Sequence, residues 1–197
     1  MLDSIVQDAF GDTWTNHAGQ KVVIRPIRGD DEDRMSRFHS SLSPETVYTR
    51  YFNALKLSER IDHDRLKRVC HPVPGDETVL VVETNAPDTS GREIIGVGRL
   101  SVLQDTHTGE IAFVVSDSYQ RQGIGTELLR RLLTIAQSRR ISHLCAHILP
   151  TNVAMQRICL NTGMQLIGSL TDSEVTAEID LSATVEKRGQ SNDVAAR

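Results

Sequence analysis

The sequence predicts a mixed α/β fold in which a mostly antiparallel sheet is flanked by helices. Three observations support this fold class. Apolar residues recur at helical spacing between residues 29 and 70. Three strand-like runs follow between residues 78 and 116, and the turns between them are too short for crossover helices. Helix and strand patterns then alternate before two closing strands, which is not the order of a doubly wound parallel sheet.

The composition is that of one soluble globular domain. The chain has 197 residues, of which 39% are hydrophobic and 24% charged. A formal net charge of −4, scattered basic residues and 4% aromatic content argue against a nucleic-acid partner, and no apolar run could span a membrane. Three cysteines at unrelated spacings favour reduced thiols over disulfides or a zinc site. We therefore expect a cytoplasmic protein without a signal peptide, either a monomer or a homodimer.

The first part of the chain predicts a hairpin and three helices. Residues 1–20 are interpreted as an N-terminal arm and the start of a hairpin that extends over residues 13–28. Helices are predicted over residues 29–42, 43–52 and 58–70. Ser43 and Pro44 suit the N-cap and first-turn positions of the second helix.

The remaining residues predict the rest of the sheet. Strands are expected over residues 78–84, 94–103 and 110–116 as an antiparallel meander, with a further strand over residues 143–149. A long helix over residues 123–139 precedes that strand, and a short helix with Gly163 just past its end follows it. Residues 164–170 and 174–181 predict a terminal hairpin, and the polar residues 186–197 predict a disordered tail. The main domain thus spans residues 21–185.

Residues 120–125 concentrate glycine, glutamine and arginine where a helix is about to begin. Backbone N–H groups of a glycine-rich turn and of a helix N-terminus together form an anion site, and Arg121 adds a positive charge. The run lacks the lysine of a P-loop and the third glycine of a dinucleotide fingerprint, since Leu128 stands there. From the residues alone, phosphate binding and a plain tight turn both remain open. Gly96 and Gly98 lie inside a strand, where a bulge or close packing is the better explanation.

The loop resembles the acyl-coenzyme A pyrophosphate loop of the GNAT superfamily of N-acetyltransferases. The resemblance rests on Gln120-x-x-Gly123-x-Gly125 between a strand and a helix, on the order of elements, and on a downstream segment with Asn152, Ala154 and Gly163. It implies the GNAT acyl-CoA N-acyltransferase fold and acetyl-CoA as co-substrate, with no metal. It also implies the residues that bind the donor: Phe113, Val115, Gln120, Arg121, Gln122, Gly123, Ile124, Gly125, Thr126 and Asn152.

Residues 22–166 further resemble the acetyltransferase domain of bacterial Pat-type protein lysine acetyltransferases. This similarity implies acetyl transfer to a primary amine, with a protein lysine as the expected acceptor. Two alternatives remain open: a small-molecule amine as acceptor, and a non-catalytic acyl-CoA-binding sensor that retains the fold. Tyr48, Arg50 and Tyr51 fall where this family places its acceptor-side helices; we expect Arg50 at the surface and Tyr51 in the core.

Acetyl transfer requires a neutral amine, so a base is useful. A lysine of pKa ~10.4 is only roughly one part in a thousand deprotonated near neutral pH. The resemblance implies that Glu110, at the start of the strand before the loop, is the general base; taken alone, the residue could be a solvated charge. It also implies that the backbone at Phe113 and Val115 holds the pantetheine, where one N–H group polarises the carbonyl.

The group that protonates the departing thiolate is less well defined. This family often has a tyrosine four residues before the glycine that matches Gly163, and here Cys159 stands in its place. Cys159 is therefore a candidate acid, and a small apolar contact on its helix is the open alternative. His143 and His147 share one face of their strand and are candidates for lining the acceptor side. Together with Cys145 they are not expected to bind a metal, because residues i, i+2 and i+4 of a strand spread over ~13 Å.

Overall fold

One mixed sheet runs through the residues that the computed structural model describes, which are 13–85, 91–103, 107–168 and 173–182. Its eight strands in this part of the chain are β1 (Thr13–Thr15), β2 (Lys21–Pro26), β3 (Glu77–Asn85), β4 (Arg92–Leu103), β5 (Thr108–Val115), β6 (His143–Ile148), β7 (Gln165–Ile167) and β8 (Val175–Asp180). Their order is β1-β2-β3-β4-β5-β6-β8-β7. All neighbours are antiparallel except β5 and β6. The predicted mixed, mostly antiparallel sheet is confirmed.

Six α-helices flank the sheet within the same described ranges. They are α1 (Glu32–Ser41), α2 (Pro44–Tyr51), α3 (Leu57–Arg60), α4 (His63–Cys70), α5 (Ile124–Ser138) and α6 (Val153–Asn161), and short 3-10 turns precede α1 and α5. The Ser43 hydroxyl accepts the Thr46 N–H at 3.2 Å, with Pro44 in the first turn. The predicted start of α2 is therefore confirmed.

The prediction of one helix over residues 58–70 is wrong, because the chain forms α3 and α4 there. Asp62 begins the second helix: its carboxylate accepts the Arg65 N–H at 3.0 Å. An aspartate side chain competes with helix continuation by offering its own oxygen to a nearby backbone N–H. Apolar residues continue at similar spacing through this break, so the apolar pattern alone predicted one helix instead of two.

The two faces of the sheet carry separate cores. On one face α5 and α6 pack on the central strands, and Leu128 and Leu132 are fully buried. There α5 lies so close to β4 that a Cβ on Gly98 would stand 3.1 Å from the Leu132 side chain, and one on Gly96 would stand 3.3 Å from Ile124. The close-packing explanation for these glycines is thus confirmed. On the other face, α1, α2 and α4 cover β3, β4 and β5.

The strands β5 and β6 separate after a short parallel contact. Residues 108–110 pair with residues 143–145, whereas β5 continues to Val115 beside β4 and β6 continues to Ile148 beside β8. Residues 111–115 and 146–148 therefore adjoin without forming a ladder, and we call this opening the divergence. The divergence leaves backbone N–H and C=O groups unpaired at two adjoining strand edges.

The end of α6 and the last strands close the domain. Gly163 follows α6 with a φ of 89°, and the Met164 N–H donates to the Cys159 carbonyl at 3.0 Å, so the predicted glycine stop is confirmed. The strands β7 and β8 pair as the expected antiparallel hairpin, with β8 between β6 and β7. The predicted tail at residues 186–197 and most of the predicted N-terminal arm lie outside the described residues.

Candidate functional site

A cleft of about 680 Å³ opens at the divergence. Its walls come from α2, β5, the loop between β5 and α5, the end of β6, and α6. Most of the residues predicted to bind the donor or act in catalysis line it: Glu110, Phe113, Val115, Gln120, Arg121, Gly123, Gly125, Thr126 and Asn152. Gln122, Ile124 and Cys159 are not part of its lining. The fold thus brings the predicted residues of β5, the loop and α6 into one place.

The loop between β5 and α5 exposes a row of backbone donors. Its backbone passes twice through the left-handed region, with φ of 59° at Arg121 and 84° at Gly123. The N–H groups of residues 121–126 make no hydrogen bond within the described chain, and the N–H of Glu127 is the first to bond, to the Gly123 carbonyl at 3.0 Å. These donors lie at the N-terminus of a 15-residue helix. The arrangement could hold an anion such as a phosphate group.

The turn between β1 and β2 braces this loop. The Asn16 side chain donates to Gln122 Oε1 at 2.7 Å, and the His17 N–H donates to the Gln122 carbonyl at 3.0 Å. The His17 ring lies over Gly123, where a Cβ would stand 2.7 Å from His17 Nε2. Glycine is therefore needed at Gly123 both for its φ and for space. His17 also lines the cleft, although the sequence analysis did not name it as a candidate site residue.

The same loop is tied to the N-terminus of α2. The Asp117 carboxylate accepts the Ser43 N–H at 2.9 Å and the Ser43 and Thr46 hydroxyls at 2.7 Å each. Gln120 Nε2 donates to the Thr46 hydroxyl at 3.0 Å and to the Val115 carbonyl at 3.2 Å. Burial raises the pKa of Asp117, but these hydrogen bonds outweigh burial and hold that pKa below its usual value. Two walls of the cleft, the loop and α2, are thereby joined.

Glu110 stands at the closed end of the divergence. It pairs with Ser101 on β4 and with Cys145 on β6, and it is the last β5 residue to pair with β6. Its side chain is half-buried and lines the cleft. Burial raises the pKa of the Cys145 thiol, and the charges of Glu110 and Glu178 raise it further. The Glu110 carboxylate therefore lies beside Cys145 on the face of the sheet that α2 covers.

The helix α2 forms a wall of the cleft through Glu45, Thr49 and Arg50, and Phe52 extends that wall. Arg50, expected at the surface, is half-buried because it faces the cleft. Its guanidinium carbon lies 4.9 Å from the centre of the Tyr51 ring, and burial lowers the pKa of Arg50. Tyr51 packs against the second core, as expected.

The helix α6 contributes its N-terminus and one face. Asn152 caps the helix by accepting the Met155 N–H at 3.1 Å, and Arg157 and Ile158 line the cleft. Cys159 lies in the first core, fully buried, and burial raises the pKa of its thiol to about 11. The structure therefore does not bring the candidate acid to the cleft.

The strand β6 contributes His147, which lines the cleft beside the divergence. Its Nδ1 lies 2.8 Å from the Glu174 carboxylate, whereas His143, outside the cleft lining, lies 3.5 Å from Glu178.

Within the described ranges, no group of three or more His, Cys, Asp and Glu side chains could hold a metal ion. No helix in those ranges is long and apolar enough to cross a membrane.

A mostly antiparallel sheet with one splayed parallel pair lies beside a helix N-terminus with unbonded N–H groups, an arrangement that suits a protein binding an anionic ligand. Residues 21–165 match the sequence model of the acetyltransferase (GNAT) domain family. The chain therefore belongs to the GNAT family and is an N-acetyltransferase.

Three known proteins are similar to this chain. An acetyltransferase of Pseudomonas aeruginosa is 28% identical over 155 residues, which are 78% of this chain and 81% of that protein. The acetyltransferase Pat of Mycolicibacterium smegmatis is 26% identical over 142 residues, 71% of this chain but only 40% of Pat. The crystal structure of the GNAT domain of S. lividans PAT superposes with a TM-score of 0.73 at 25% identity, covering 86% of this chain and 96% of that domain.

Proposed function

We propose that this protein transfers an acetyl group from acetyl-CoA to a protein lysine by direct attack, with Glu110 as the general base. One observation carries the proposal: a single cleft holds Glu110, then the divergence, and then the loop with unbonded N–H groups, of which Arg121, Gly123, Gly125 and Thr126 line the cleft. A reacting amine, a thioester arm and an anionic group would each find a matching part of this cleft.

The donor would bind mainly through the backbone. Its pyrophosphate suits the N–H groups of residues 121–126 and the charge of Arg121. Gln122 and Ile124 would contribute only their N–H groups, because the Gln122 side chain bonds to Asn16 and Ile124 is buried. The amides of the pantetheine need hydrogen-bond partners, and the unpaired backbone of β5 at Phe113 and Val115 supplies them.

The chemistry follows from the position of Glu110 at the closed end of the divergence. Its carboxylate would accept a proton from the attacking amine, while an N–H group of β5 stabilises the oxyanion of the tetrahedral adduct. The C=O double bond of the adduct then re-forms, the C–S bond breaks and the thiolate of coenzyme A leaves. No acid role is proposed for Cys159, because its full burial supports the alternative of a small apolar contact.

A protein acceptor is supported by the rim of the cleft and by the resemblance to Pat-type enzymes. Phe52, just after the end of α2, lines the cleft and remains 38% exposed, and Tyr48 within α2 remains 50% exposed. Large apolar side chains left exposed beside a site favour contact with another polypeptide. A small amine would leave them in water.

The test combines labelled acetyl-CoA with cell proteins and, separately, with a panel of small amines. We expect label on protein lysines. Label on small amines alone would support a small-amine acetyltransferase, and binding of acetyl-CoA without any transfer would support the sensor.

Glu110→Gln tests the base, with Glu178→Gln as the matched control on the same face of the sheet. We expect Glu110→Gln to lower kcat/KM by about 100-fold or more at pH 7. Full activity of Glu110→Gln from pH 6 to 9 would reject Glu110 as the base.

A further inference from the structure

His147 is a titratable side chain in the cleft that the proposed chemistry does not yet use. It lies near the end of β6, pairs with Thr176 on β8, and its Nδ1 is 2.8 Å from Glu174. When Nδ1 donates to a carboxylate, the tautomer is fixed and Nε2 is left as a proton acceptor. The same carboxylate stabilises the imidazolium that forms when Nε2 takes a proton.

The register of the sheet places His147 across the divergence from Glu110. Glu110 pairs with Cys145, and His147 lies two residues further along β6 on the same face, a rise of about 7 Å. The intervening Ala146 is fully buried on the opposite face, in the first core. Glu110 and His147 therefore project from adjoining strands into one cleft, on the face that α2 covers.

Counting protons shows why a second acceptor is useful. A lysine arrives as an ammonium with three N–H bonds, and the product amide keeps one. Two protons must therefore leave the nitrogen, one before the attack and one from the tetrahedral adduct. A single carboxylate holds only one proton at a time, so Glu110 alone would have to release the first before it could accept the second.

Building on the proposed function, we propose that His147, held by Glu174, is a second catalytic proton acceptor of the acetyl transfer. Nε2 takes the first proton from the ammonium and releases it to water, since the His147 side chain is 39% exposed. Glu110 takes the second proton after the C–N bond forms and returns it to the thiolate as the C–S bond breaks. One proton ends on coenzyme A and one in solvent, and nothing is oxidised or reduced.

The charges around His147 are mixed. Glu174 and Glu178 lie on the β8 side, with Glu174 at hydrogen-bond distance from His147 and Glu178 beside His143. The charged residues that line the cleft are Glu45, Arg50, Glu110, Asp117, Arg121 and Arg157. Of all these charged groups, Glu174 is the one at hydrogen-bond distance from the imidazole.

The chain offers a matched control on the same strand. His143 projects from the same face of β6, also has a glutamate partner, and lies outside the cleft lining. A general effect of losing a histidine–glutamate pair from β6 would appear in both His143→Asn and His147→Asn. A role in proton transfer would appear in His147→Asn alone.

The experiment measures kcat/KM for the lysine acceptor from pH 6 to 9.5 in both variants of the full chain. We expect His147→Asn to lose about 10-fold to 100-fold near pH 7, and the deficit to narrow above pH 9 as the amine deprotonates itself. KM for acetyl-CoA should not change, and His143→Asn should stay close to the wild type. Added imidazole should partly restore His147→Gly, and Glu174→Gln should show a smaller loss with the same pH dependence.

Two outcomes would overturn the inference while leaving the proposed function intact. One is a His147→Asn profile that matches that of His143→Asn in an enzyme that transfers acetyl groups. The other is a loss that is equal at every pH and is not rescued by imidazole, which would mark a structural role. If the wild type acetylated no amine at all, the proposed function would fail and this inference with it.

Discussion

Gly123→Ala changes the one loop position that the structure constrains in two ways. Its φ of 84° costs an L residue about 1–2 kcal/mol. The new Cβ would stand 2.7 Å from His17 Nε2 and 2.8 Å from Cε1, so the ring must leave the loop. We expect the free energy of unfolding to fall by about 2 kcal/mol. We also expect coenzyme A to bind at least about tenfold more weakly, the equivalent of about 1.4 kcal/mol. The reason is that the N–H groups of the shifted loop no longer point at the pyrophosphate.

Gly19→Ala is the matched control for backbone strain. Gly19 has a φ of 79° in the turn beside His17, and its added Cβ would meet nothing within 4 Å. It should cost about 1 kcal/mol of unfolding free energy and leave coenzyme A binding unchanged. In a His17→Ala background the steric part of the Gly123→Ala cost should disappear, so that a double-mutant cycle isolates the ring contact.

The assays are urea unfolding and calorimetric titration with coenzyme A. The single tryptophan, Trp14, is a convenient reporter because its ring centroid lies 6.4 Å from that of His17. If Gly123→Ala cost no more than Gly19→Ala, the contact between the ring and the loop would not constrain this position. If it lost stability but bound coenzyme A normally, the loop would not be the donor site.

Two further predictions concern carboxylates outside the reacting groups. Burial raises the pKa of Asp31, but its two 2.8 Å hydrogen bonds from Arg25 outweigh burial and lower that pKa. The resulting stabilisation is complete above about pH 4 and is lost as the pH falls through the folded pKa. Asp31→Asn should therefore lower the free energy of unfolding by about 3 kcal/mol at pH 7. It should also make that free energy fall less steeply as the pH drops below about 4, and an equally steep fall would contradict this. Asp117→Asn should raise KM for the acceptor but not for acetyl-CoA, because the amide cannot accept all three hydrogen bonds from Ser43 and Thr46. Steady-state kinetics with both substrates would show the split, and equal rises in both KM values would contradict it.

The sheet and most of the helices were predictable because their signals are local. Leu128 and Leu132 repeat at helical spacing, Ser43 and Pro44 carry the preferences of a helix start, and Gly163 carries that of a helix stop. The break at Asp62 was missed because a side-chain cap interrupts a helix without interrupting its apolar pattern. The position of β8 between β6 and β7 was also beyond local signals, since it depends on which edge of the sheet remains open.

In the candidate site, too, some residues have a local sequence signal and others owe their position to tertiary structure. Gly123 could be singled out because a strand, a glycine-rich loop and a helix follow one another in the sequence, and Glu110 because of the resemblance to the GNAT superfamily. His17 could not be singled out, and Arg50 was expected at the surface rather than in the cleft, because the places of both residues in the cleft arise from packing. The hydrogen bond between Asn16 and Gln122, which seats the turn holding His17 on the loop, joins residues 106 positions apart. Contacts at such separations leave no pattern in a short window.

Asp117 shows how tertiary structure resolves an apparent conflict in the sequence. A carboxylate just before a loop with free N–H groups should repel the anion that those groups attract. Its charge is directed instead to the start of α2, where three donors from Ser43 and Thr46 surround it. The N-terminus of one helix thus binds the carboxylate, and the N–H groups at the N-terminus of α5 are left for an external anion. The same hydrogen bonds hold α2 against the loop, so a residue that looks unfavourable for donor binding positions the wall that the acceptor would contact.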